Sequence, residues 1–253
     1  MTVEPSKDLL RRLTLAAGPP GAEEEVRGVV REALEEIGSI EHDRLGSILC
    51  EKKGDGDAPR VILDAHLDEV GFMVRSISRE GRVRFVPLGG WWGHVLLAQR
   101  VEIITDGGKV PGVIASKPPH FLSSEERGKV LPLDSMTIDV GASTRDEVEE
   151  LGVRTGDCIV PVAEFREMAL SGLLSSKAFD DRAGVGVMVE TLLALKDRAH
   201  PNTVVGVGAV QEEVGCRGAG TASELSRPDV AIILEGTPAD DLPGSDEPQA
   251  ALG

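Results

Sequence analysis

Apolar residues recur with two different rhythms along this chain. Leu9, Leu10 and Leu13 follow Ser6 at helical spacing, and the Ser6 hydroxyl suits an N-cap. Gly18-Pro19-Pro20-Gly21 breaks that helix. A second helix carries Val26, Val29, Val30, Ala33, Leu34 and Ile37 on one face and ends at Gly38. Its start is rich in Glu23, Glu24 and Glu25, which the positive end of the helix dipole favours. Short strands are predicted over 39–44 and 47–52, and V-I-L-D-A-H-L-D from Val61 opens as a buried strand. From Gly71 to Pro161 short apolar runs alternate with glycine turns, the texture of a small all-β unit, with one short helix over 143–150. Helical spacing then returns over 181–197, with Val185, Val189, Leu192 and Leu193 on one face. The strand T-V-V-G-V-G-A-V (203–210), a short helix near 218–225 and an apolar strand over 230–234 complete the pattern. Strands alternating with helices on both sides of the β segment predict one discontinuous α/β domain, 1–70 and 162–253, interrupted by a β-rich domain, 71–161.

Composition narrows the functions this fold could serve. The formal charge of −16 disfavours nucleic acid and anionic membranes as partners. Aromatic residues make up 3% of the chain and tyrosine is absent, which argues against a base-stacking or sugar-binding platform. Cys50, Cys158 and Cys216 are scattered, so neither a disulfide framework nor a cysteine zinc site is expected and a reducing compartment fits. The first residues resemble no signal peptide and no apolar run is long enough to span a bilayer. The expected location is the cytoplasm.

Chemistry gathers at the strand ends. V-I-L-D-A ends at His66, with Asp68 two residues on; the 203–210 strand runs into Glu212-Glu213; V-A-I-I-L ends at Glu235; and Asp180-Asp181 opens a helix. Open α/β sheets collect ligands at the carboxyl ends of their strands. Two adjacent glutamates at the end of a buried strand repel each other unless something positive lies between them. A histidine with several carboxylates and no cysteine is the donor set of a hydrolytic metal site, and the number of carboxylates suggests two metals sharing one of them. Taken singly, His66 reads as a polar core residue, Asp180-Asp181 as a helix start and Glu235 as a solvated charge. Their convergence makes the site.

The segments H-L-D-E-V-G-F, K-A-F-D-D-R-A-G, Q-E-E-V-G-C-R-G-A and L-E-G-T-P-A-D-D-L-P-G occur in this order along most of the chain. They resemble the motif blocks of the tetrahedral aminopeptidases, cocatalytic metallopeptidases also called glutamyl or deblocking aminopeptidases and sometimes labelled endoglucanase M. The resemblance implies a zinc-exopeptidase-like fold, with a mixed sheet and flanking helices. It implies that the β domain, with G-V-I-A-S-K-P-P-H and I-D-V-G-A, is a dimerisation domain, and that full-length relatives form dodecamers. It also implies peptide substrates, cleaved at the N-terminus, and two divalent ions per subunit, zinc or cobalt. Residue by residue, His66, Asp180, Glu213 and Glu235 are implied as metal ligands, with Asp180 bridging. Asp68 is implied to orient His66, Glu212 to act as general base, and the Asp180–Asp181 peptide to be cis.

The family pattern continues beyond this chain and supplies a late histidine as a fifth protein ligand. None of His42, His66, His94, His120 and His200 follows Glu235. The chain is therefore expected to be the N-terminal part of a longer protein, with weak or no activity alone. Two rival readings remain at this point. A glycosidase would hold its carboxylates apart across a sugar, which adjacent glutamates fit poorly. A non-catalytic assembly module would act through the β domain, with Trp91-Trp92 as a candidate contact if these residues do not simply pack inside it.

Overall fold

The computed structural model describes residues 6–170, 172–237 and 239. Helices α1 (Lys7–Leu15) and α2 (Glu24–Leu34) lead into strands β1 (Ser39–His42), β2 (Ile48–Lys52) and β3 (Val61–His66). Strands β4 (Gly71–Ile77), β5 (Val83–Leu88), β6 (Arg100–Thr105), β7 (Gly108–Ala115), β8 (Thr137–Asp139) and β9 (Cys158–Pro161) follow, with the short helices α3 (Ser124–Arg127) and α4 (Arg145–Glu150) between them. A small hairpin, β10 (Arg166–Glu167) and β11 (Leu174–Ser175), precedes α5 (Phe179–Ala194), β12 (Val204–Ala209), α6 (Arg217–Ser226) and β13 (Val230–Ile233).

Two sheets organise these elements. β1-β2-β12-β3-β13 form a mixed sheet, antiparallel at its β1–β2 and β2–β12 pairs and parallel at β12–β3 and β3–β13. β4-β5-β8-β7-β6-β9 close into a barrel inserted between β3 and α5. The fold is thus α/β with flanking helices, interrupted by a small all-β unit. Ser6 caps α1 as its sequence position predicts, its Oγ accepting from the Leu9 N–H at 3.1 Å. α4 begins with a full capping box between Thr144 and Glu147.

The V-G-V-G alternation in β12 has a packing reason. Val205, Val207 and Ala209 face a cluster with Leu49, Ile62 and Ala222 of α6. Gly206 and Gly208 point to the opposite face, where an added methyl would press on Leu192 and Met188 at the first and on Leu67 and Ile48 at the second. The glycines let α5 lie close to the sheet, and α1, α2 and α5 bury the larger core there, with Leu13, Val26, Val30, Val185 and Val189 fully enclosed. Gly218, near the start of α6, is equally constrained: a methyl would overlap the Val210 backbone. Gly218→Ala is expected to cost about 1–3 kcal/mol through overpacking, read as a lower urea midpoint; an unchanged midpoint would contradict this packing.

The structure adds three details that the sequence pattern left open. The apolar strand at 230–234 is an edge strand: Val230, Ile232 and Ile233 are exposed because β13 pairs with β3 alone among the described residues. The tryptophans divide their roles. Trp91 stacks on Phe72 (4.7 Å between centroids) and donates its indole N–H to Gly71, whereas Trp92 is 66% exposed. Glu23 is no surface charge at a helix start but a buried carboxylate.

Candidate metal centre

β3 and β12 run parallel, with Ala209 opposite His66, so their carboxyl ends open at the same level. β13 brings Glu235 to that level from the other side of β3. α5 supplies the fourth wall. Its first turn is not helical at Asp180 and Asp181, and the peptide between them is cis, as the resemblance implies. Asp181 turns inward, where its Oδ2 accepts the His66 N–H at 3.2 Å and its Oδ1 the Gly184 N–H at 3.0 Å. Asp180 turns outward, with Oδ1 at 2.9 Å from His66 Nε2.

His66 is the hub. Its Nδ1–H donates to the Asp68 carbonyl at 3.0 Å, which leaves Nε2 as the ring nitrogen that faces the carboxylates. Around Nε2 lie Asp180 Oδ1, Glu235 Oε1 at 3.7 Å and Glu212 Oε2 at 3.9 Å. Ligand atoms of His66, Asp180 and Glu213 lie within 4.8 Å of one another, and so do those of His66, Asp181 and Glu235. The six residues singled out from sequence therefore meet at one place. Asp68 does more than face His66. Its fully buried carboxylate accepts the Glu212 N–H at 2.8 Å and the Glu213 N–H at 3.0 Å, so it fixes the backbone that carries both glutamates.

The electrostatics are those of crowded, partly buried carboxylates around one imidazole. Burial pushes Glu213 up to about 7; His66 opposes that rise, and the neighbouring Asp180, Asp68 and Glu212 add to it. Burial likewise raises Asp181 to about 7. For His66, burial alone would lower the pKa, but the hydrogen bond and charge of Asp68, then Asp181 and Glu235, outweigh it and raise the imidazole to about 10. Burial raises the carboxyls of Glu213 and Asp181, and the surrounding carboxylates raise His66. Oxygen and imidazole donors at these spacings fit divalent cations.

Two cavities adjoin the centre. One, about 200 Å³, is lined by Asp64, His66, Glu212, Cys216 and Glu235 among others. The second, about 380 Å³, is lined by residues of both the sheet unit and the barrel, among them Asp180, Glu213, Lys177, Glu69, Trp91 and Phe179. Asp64, Glu69, Lys177 and Arg182 were not singled out as site residues by sequence reasoning, and Asp181 was noted beside Asp180 without a ligand role. Asp64 carried a signal, since it interrupts an otherwise apolar strand; it is buried, its Oδ1 has no partner, and burial raises it to about 6. His94 and His120 lie on the barrel and His200 bonds the Asn202 carbonyl; none belongs to the cluster.

The fold and the cluster together place a donor set that could hold a cation at the carboxyl edge of a mixed α/β sheet. The chain belongs to the M42 glutamyl aminopeptidase family, whose sequence profile matches residues 46–253. FrvX of Escherichia coli (strain K12) is 42% identical over 241 residues, 94% of this chain and 66% of its own length. A solved TET aminopeptidase from the marine sediment archaeon Thaumarchaeota archaeon SCGC AB-539-E09 is 45% identical at a TM-score of 0.93, covering 97% of this chain and 70% of that one. The TET1 peptidase of Pyrococcus horikoshii, described as assembling into a tetrahedron or a large octahedral shell, is 31% identical at a TM-score of 0.83, covering 94% of this chain and 72% of that one. The chain thus spans about two thirds of the length of the relatives it matches.

Proposed function

We propose that this chain carries the metal centre of an aminopeptidase that removes N-terminal residues from peptides with two divalent cations, zinc or cobalt. The observation that carries this reading is the convergence of His66, Asp180, Glu213 and Glu235 around one imidazole nitrogen. These four residues would hold the cations. When bound, the cations would polarise the scissile carbonyl and make a water molecule more acidic. Glu212 accepts the proton of the attacking water and returns it to the leaving amine. Asp68 holds Glu212 and Glu213 in place through their backbone amides and sets the His66 tautomer through its own carbonyl. The 380 Å³ cavity, open to Asp180 and Glu213, is the proposed seat of the N-terminal residue. The barrel, 71–161, is proposed as the dimerisation domain of a larger homo-oligomer, a reading supported by the assembly described for the Pyrococcus horikoshii relative.

Metal analysis after dialysis against Zn²⁺ or Co²⁺ tests the centre directly. The expected result is an uptake of about two equivalents, falling to one or none in His66→Ala, because His66 belongs to both donor groups. Uptake unaffected by His66→Ala would sink the reading. The acidic crowding at Glu212 and Glu213 has no role in a glycosidase, which separates its two carboxyl groups by about 5 Å or more across the sugar.

A further inference from the structure

Three consecutive backbone amides leave the end of β12: Gln211, Glu212 and Glu213. The chain turns sharply there, with Gln211 at φ +58, in the left-handed region that a non-glycine residue adopts only when its surroundings hold it. All three N–H groups donate to buried carboxylates. Asp68 takes those of Glu212 and Glu213, and Glu23 Oε1 takes that of Gln211 at 3.3 Å.

Glu23 sits at the N-cap position of α2 but makes no capping bond to its own helix. Its side chain instead reaches across to the sheet, where the same Oε1 also accepts the Gly21 N–H at 2.8 Å. It is 2% exposed. Burial, and then the nearby charge of Asp68, push its carboxyl up to about 7 against the hydrogen bonds that lower it. A carboxyl is costly to keep buried. A surface glutamate at a helix start would serve α2 as well. The work done here is the grip on Gly21 and Gln211, and Gln211 is the residue before the proposed base.

We propose that Glu23 is a positioning residue of the metal centre: its Oε1 fixes the turn at Gln211 and so sets the bearing of Glu212 and the ligand Glu213. Glu23 and Asp68 act as a pair, one carboxylate for the first amide and one for the next two. The inference rests on the metal-centre reading above. Glu23 touches neither substrate nor metal.

The test separates reach from charge. Glu23→Gln keeps an oxygen acceptor at the same reach, whereas Glu23→Asp keeps the charge and draws the acceptor back by one methylene. Co²⁺ binding to the full 253-residue chain is measured by calorimetry and by the visible spectrum of the bound ion, with urea unfolding in parallel. Glu23→Gln is expected to bind Co²⁺ within about twofold of wild type with the same spectrum. Glu23→Asp is expected to bind about 10-fold or more weakly, with an altered spectrum, as loss of a residue that orients a ligand typically does. Glu23→Asp binding within twofold of wild type, whatever its stability, overturns the proposal. So does Glu23→Gln binding as weakly as Glu23→Asp, which would make charge the operative property. Hydrogen exchange of the wild-type chain needs no variant: the Gln211 amide is expected to exchange as slowly as that of Glu212, and exchange at an unprotected rate overturns the proposal. Wild type that takes up no Co²⁺ overturns the metal-centre reading itself, an outcome distinct from a failure confined to Glu23.

Discussion

Glu212→Gln is expected to remove the weak peptide hydrolysis this chain supports alone, or that of a longer form, while leaving cation uptake intact. Glu212 is half-buried at the lip of the centre, with Oε2 at 3.9 Å from His66 Nε2 and Oε1 accepting from the Cys216 thiol at 3.1 Å. Its backbone is pinned by Asp68, so the side chain of a glutamine there would occupy nearly the same place. The amide cannot accept a proton from water at neutral pH. General base catalysis contributes about 10²–10⁴-fold, and kcat should fall by about that factor with KM little changed. The assay uses aminoacyl anilides with added Zn²⁺ or Co²⁺, on samples whose metal content is measured. Turnover within about tenfold of wild type would remove Glu212 from the role of base. A parallel loss of metal would show instead that Glu212 is a ligand, contrary to the assignment of that task to Glu213.

The sequence revealed the elements that repeat a pattern and concealed the residues that act across space. The helical stripe of α2 and the alternation in β12 were legible because each obeys a period, and the structure buries the same faces. His66, Asp68, Glu212, Glu213 and Glu235 were legible because polar residues ended apolar strands, and parallel pairing brings the ends of β3, β12 and β13 level. At the first turn of α5, periodicity gave a helix from Asp181, and the cis Asp180–Asp181 peptide came from the resemblance alone. The turn's non-helical backbone at Asp180 and Asp181, which sends one carboxylate inward and the other outward, has no counterpart in hydrophobic periodicity. Glu23 shows the limit most clearly. In sequence it is one of three glutamates that suit a helix start, and only the tertiary fold distinguishes it from Glu24 and Glu25 by burying it against β12. The exposure of β13 was equally hidden, because an apolar strand reads the same at the centre of a sheet and at its edge.

Arg182→Met is expected to be the most destabilising single change in the α/β unit. Arg182 is fully buried and its guanidinium is spent mostly on backbone. Nε donates to the Leu67 carbonyl at 2.6 Å, and NH1 donates to the carbonyls of Leu13 and, at 3.1 Å, Ala16. The last two belong to the C-terminal end of α1, where helix carbonyls have no intrahelical donor and the dipole favours a cation. The Leu67 carbonyl lies between His66 and Asp68, so one side chain joins the end of a helix to the loop that carries the metal centre. NH2 lies 3.8 Å from Glu69, which Lys177 also holds. Methionine would fill much of the space but take the guanidinium away from the Leu67 and Leu13 carbonyls, leaving Ala16 with the longer Lys177 bond at 3.4 Å and Glu69 with its Lys177 pair. Removing one partner from a buried charge network costs about 3–5 kcal/mol. That is a large share of a total stability of about 5–15 kcal/mol. Arg12→Met provides the contrast, since Arg12 pairs with Glu32 at the surface and an exposed pair contributes about 0–1 kcal/mol. Urea unfolding of both variants measures the difference. Equal losses, or a loss below about 1 kcal/mol for Arg182→Met, would mean that the buried guanidinium costs as much to desolvate as its hydrogen bonds return.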